Sequence, residues 1–74
     1  MSKSIYPYQN TINERFDFID KWLPTRYTGS VNIILKKSRD PDYIRKVKNR
    51  KVNDEDVIDA LYKVSLFNKI QVEN

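Results

Sequence analysis

Asp40-Pro41-Asp42-Tyr43-Ile44-Arg45-Lys46-Val47-Lys48-Asn49-Arg50-Lys51 is the stretch from which the rest of the chain can be read. Asp is a good helix cap and Pro suits the first helical position, where its missing N–H costs nothing, so Asp40-Pro41 predicts a helix start. Ile44 and Val47 then share one side of a short helix over 41–49. Arg45, Lys46, Lys48 and Asn49 are left on the other side, which becomes a face of hydrogen-bond donors. A helix this short is not stable alone and needs a core beneath Ile44 and Val47.

Working outward, the flanking segments supply that core. Thr28-Gly29-Ser30 offers a cap, and Val31, Ile34 and Leu35 fall on one face of a short helix over 29–37, although a β-branched run of this length also fits a strand. Thr11-Ile12-Asn13-Glu14 is a capping box. Ile12, Phe16, Ile19 and Leu23 follow it at helical spacing, and Pro24 ends a helix over 11–23. Downstream, Asn53 precedes Asp54, Glu55 and Asp56, three acids where a helix dipole is positive. They open a helix over 54–68 whose inward stripe is Val57, Ile58, Leu61 and Val64, with Phe67 as a candidate at its end. With a single Gly, three Pro and no Asn-Gly or Asp-Gly pair, hairpins have little to turn on. The expected fold class is all-α, a compact bundle of about four helices. Residues 1–10, with Ile5, Tyr6, Pro7 and Tyr8 off helical spacing, are expected to be an N-terminal arm, 11–70 the folded domain and 71–74 a C-terminal tail.

At 74 residues the chain has room for one small domain, and 39% hydrophobic residues can fill its core. The absence of Cys and His excludes disulfide staples, thiolate chemistry and the common zinc sites. The longest apolar run is Ile33-Ile34-Leu35, so no membrane span is expected, and nothing after Met1 resembles a signal peptide. A cytoplasmic location follows, and one associated with the nucleoid if the partner is DNA.

Charge is concentrated in the middle of the chain. Eight of the sixteen residues from Lys36 to Lys51 are Lys or Arg, against fourteen in the whole chain of 74. Such a cluster beside an acidic last helix points to a polyanion as partner. Other chemistry has little support. Asp54, Glu55, Asp56 and Asp59 are explained by the helix dipole, Asp17 and Asp20 by solvation, and Trp22 as core or a cover over it. Ser38 and Ser65 have no His to activate them, and Gly29 alone makes no phosphate loop. The expected protein is not an enzyme, and no cofactor, metal or small-molecule substrate is implied.

The pattern Tyr43-Ile44-x-x-Val47-x-Asn49-x-Lys51, between a short helix and an acid-capped amphipathic one, resembles the Cro/lambda-repressor-like helix-turn-helix regulators of bacteria and their phages. The resemblance spans about residues 12–69, with 43–51 its most tightly patterned part. It implies a sequence-specific, DNA-binding transcriptional regulator, helix 41–49 lying in the major groove, and Arg45, Lys46 and Asn49 at base-facing positions. Backbone contacts would come from Thr28, Ser30, Lys36, Lys37, Arg39, Tyr43, Lys48, Arg50 and Lys51, with double-stranded DNA as partner and a homodimer to read paired half-sites. The connection Lys36–Asp40 lacks the family's Gly and is about two residues longer, which bears on how the helix docks. Asn49-Arg50 stands where the family has Asn-Gly, so Asn49 is expected to take the left-handed cap itself. Two other readings remain open. One is a non-specific RNA or DNA binding module, the other a protein-interaction or anti-repressor domain.

Overall fold

The structure is a computed structural model in which residues 12–73 are described. They form four helices and no strand: α1 (Ile12–Trp22), α2 (Thr28–Ile34), α3 (Pro41–Lys48) and α4 (Glu55–Glu73). The expected all-α bundle is therefore present, and Val31–Ile34 is helix rather than strand. The arm 1–10 and the capping residue Thr11 lie outside the described residues.

α4 is the support on which α1, α2 and α3 all pack, and α2 also touches α3. Its inward positions Val57, Ile58, Ala60, Leu61, Tyr62 and Val64 are buried, as are Phe16, Phe18 and Ile19 of α1, Val31 of α2, and Ile44 and Val47 of α3. The stripe expected on α1 is met at Phe16 and Ile19, while Leu23 is half-buried against the core. Phe18 lies off that stripe and was not anticipated. It is buried because Tyr62 reaches it, the ring centroids 4.8 Å apart, a pairing that adds to the area both rings remove from water. Buried Ser65 satisfies its hydroxyl by donating to the Leu61 carbonyl at 2.8 Å.

Several boundaries differ from the sequence expectation, each for a local reason. α2 starts at Thr28 after Tyr27, with no side-chain cap, and stops at Ile34 because Leu35 turns extended (φ −68°, ψ 140°). The connection to α3 is held by Asn32. Its Oδ1 accepts the Arg39 N–H at 2.8 Å and its Nδ2 donates to the Arg39 carbonyl at 3.0 Å. One amide thus substitutes for a backbone partner, so this turn needs no glycine. Asp40 occupies the cap position of α3 without a side-chain cap bond. The cap of α4 is Asp54, the residue at which the sequence expectation began the helix, its Oδ1 accepting the N–H groups of Asp56 and Val57 at 3.1 and 3.3 Å. α4 does not end near 68 but continues to Glu73, so residues 71–73 of the expected tail are helical. Phe67 faces out and keeps 64% of its surface.

The end of α3 corrects the expectation for Asn49. The Arg50 N–H donates to the Val47 carbonyl at 3.0 Å and the Lys51 N–H to the Lys46 carbonyl at 2.8 Å, the two bonds of a Schellman ending. Asn49 has φ −87°, and Arg50 takes the left-handed position at φ 66°. That position is the one where the resembled pattern has Gly. Arg50→Ala keeps the strained backbone and loses the side chain, whereas Arg50→Gly loses the same side chain and relieves the strain. Arg50→Gly is therefore expected to be more stable than Arg50→Ala by about 1 kcal/mol in urea denaturation. Equal stability of the two would mean that the left-handed ending is absent.

Candidate nucleic-acid interface

α3 divides its residues between two jobs. Ile44 and Val47 have no exposed surface, while Arg45, Lys46 and Asn49 are exposed on the opposite side. Lys46, Asn49 and Lys51 make no side-chain hydrogen bond or ion pair among the described residues. Arg45 does: its Nη1 donates to Asp42 Oδ1 at 2.8 Å, one turn back, with both side chains largely in solvent. Such a pair is weak and exchangeable.

The basic residues at the end of α3 turn toward α1. Asp20 pairs with Lys48 at 3.8 Å and Arg50 at 3.3 Å, so it is the counter-charge of α3 rather than a merely solvated acid. The Arg50 guanidinium also lies 4.7 Å from the centre of the Phe16 ring. Lys36 and Lys37 border a groove of about 440 Å³ between the α2–α3 connection and α4, together with Asp56, Asp59 and Lys63. Thr28 and Ser30 stand at the start of α2.

Tyr43 and Arg39 converge on Asp54. The Tyr43 hydroxyl donates to Asp54 Oδ2 at 2.8 Å, and Arg39 Nε lies 3.4 Å from the same oxygen. Since Asp54 also caps α4, one carboxylate ties α3, the α2–α3 connection and α4 together. Arg39 additionally donates to the Lys37 carbonyl at 2.5 Å. Sequence reasoning treated Tyr43 and Arg39 as phosphate contacts and missed Asn32, Asp20 and Asp54, all of which work through partners distant in the chain.

Burial pushes the Asp54 carboxyl up, but the Tyr43 hydroxyl, the Val57 N–H, the Arg39 charge and the Asp56 N–H together outweigh it and hold the group below the ordinary aspartate value. The stability this contributes is present above about pH 4 and is lost as pH falls through the lowered value. Tyr43 is pushed up, chiefly by its bond to Asp54, and its contribution is lost only as pH rises through a value above its ordinary one. Tyr43→Phe removes the strongest group holding Asp54 down. In ¹³C NMR titrations the Asp54 carboxyl is expected to move up toward the ordinary value in this variant, and acid unfolding is expected to begin at higher pH. An Asp54 that titrates alike with and without the Tyr43 hydroxyl would show that the bond is not made.

No helix among the described residues is long and apolar enough to cross a membrane. No family model, curated protein or solved structure matches the chain.

Proposed function

We propose that this protein is a helix-turn-helix transcriptional regulator that binds duplex DNA sequence-specifically, without catalysis, through the exposed face of α3. The observation that carries the reading is the division along α3 and its capping residue Asn49: two apolar residues fully buried and three donors, Arg45, Lys46 and Asn49, presented together from a helix anchored on α4. Arg suits the bidentate acceptors of guanine and Asn the acceptor–donor pair of adenine. Consecutive helices α2 and α3, packed on each other and on α4, are in the order such a motif requires. Lys36, Lys37 and Lys51 carry no ion pair among the described residues and are the phosphate-binding charges in this reading, while Lys46, equally without an ion pair, adds its charge from the base-facing side. Nucleoid association in the cytoplasm is the corresponding location.

The test is the salt dependence of binding to a duplex selected from a random pool. Arg39, Arg45, Lys48 and Arg50 already face carboxylates, so about four free lysines set the counterion release. The slope of log K against log salt is then about −4, whereas eight basic residues all on phosphate would give about −7. A slope near zero, equal affinity for RNA, or capture of an acidic protein without any affinity for duplex would overturn the proposal.

A further inference from the structure

α4 runs beyond the helix packed along it. α1 ends level with Asn68, whose Nδ2 donates to the Trp22 carbonyl at 2.7 Å, and α4 continues to Glu73. Four large apolar side chains are exposed among the described residues, and three of them, Phe67, Ile70 and Val72, stand in this end of α4. A helix with one face on a core normally carries polar residues on the other. Here the outer face carries Phe67 and Ile70, with Val72 on the other side of the helix, and it is framed by opposite charges: Lys63, Phe67, Ile70 and Glu73 follow at spacings of four, three and three, one stripe on the side away from buried Val57, Leu61 and Val64.

This stripe is complementary to itself. If two copies lie antiparallel across a two-fold axis between Phe67 and Ile70, Phe67 of each meets Ile70 of the other, and Lys63 of each meets Glu73 of the other. Lys63 is exposed with no ion pair among the described residues. Glu73 Oε1 accepts a hydrogen bond from Lys69 Nζ of its own helix at 2.6 Å, which leaves Oε2 for a second cation. The negative end of the helix dipole also faces the incoming Lys63. We propose that the Lys63–Phe67–Ile70–Glu73 stripe is a self-association surface whose occupant is a second copy of this chain. The inference is drawn from α4 alone and does not rest on α3 binding DNA.

Two apolar side chains per copy cover much less than the about 1,200 Å² of a standard interface, so the dimer is weak. Sedimentation equilibrium of the full chain without nucleic acid is expected to give a monomer–dimer equilibrium with a Kd of roughly 10–100 µM. Phe67→Glu, and independently Ile70→Glu, should leave only monomer with an unchanged far-UV circular dichroism spectrum. Lys63→Glu places acids opposite acids at two symmetry-related points and should weaken association about tenfold. Combining it with Glu73→Lys should restore the dimer. A chain that stays monomeric up to about 1 mM, as it would if residues 1–11 covered the stripe instead, overturns the proposal. So does a dimer indifferent to both glutamate substitutions, or a charge exchange that fails to restore association.

Discussion

Ile44→Ala is expected to destabilise the domain by about 2–4 kcal/mol, the transfer free energy of the lost carbons plus the cavity they leave. Ile44 has no exposed surface, and α3 is only eight residues long, too short to persist without its anchor. For 74 residues the whole stability is about 4–11 kcal/mol, so this one truncation removes a large share of it. Urea midpoint and melting temperature measure the loss directly. DNA affinity should fall only in proportion to the unfolded fraction and recover on moving to milder conditions. Arg45→Ala is the control. Its partner pair with Asp42 is exposed at 55% and 78%, so stability should change by no more than about 0.5 kcal/mol. If Ile44→Ala melts like the wild type while Arg45→Ala is destabilised, the faces of α3 are exchanged and the proposed reader is wrong.

Arg45→Ala should instead be visible in recognition. On the best duplex it is expected to cost about 1–3 kcal/mol while affinity for random duplex changes far less, because a guanine contact depends on sequence and a phosphate contact does not. Lys37→Ala, in the α2–α3 connection, should weaken every duplex alike and reduce the salt slope by about 1. Competition binding with selected and random duplexes separates the two signatures. Equal loss on both duplexes for Arg45→Ala would remove α3 from the role of base reader and leave a non-specific polyanion surface.

Much of the architecture was legible along the chain because it is written in neighbouring residues. Pro24, Asp40-Pro41 and the acids at 54–56 mark helix ends through dihedral limits and the helix dipole. Apolar spacing placed Phe16, Ile19, Val31, Ile44, Val47, Leu61 and Val64 in the core, all of them buried. It also separated Ile44 and Val47 from Arg45, Lys46 and Asn49. Periodicity is less informative where apolar residues lie on both sides of a helix. Phe67 therefore passed for core, although it is exposed, and Phe18 could not be assigned without its partner Tyr62.

Sequence by itself determined an all-helical chain, the inward face of α3 and a cluster of positive charge, since each depends on residues within a turn or two of one another. Tertiary structure alone decided which of those charges are already engaged. Arg50 and Lys48 face Asp20 across some thirty positions, Tyr43 reaches Asp54 across eleven, and Asn32 holds the backbone of Arg39 across seven. It also put the left-handed residue at Arg50 rather than Asn49. Distance in space between residues far apart in the chain is not encoded in any local pattern. It emerges only when burying α1, α2 and α3 against α4 fixes where each helix ends and which carboxylate its cations meet.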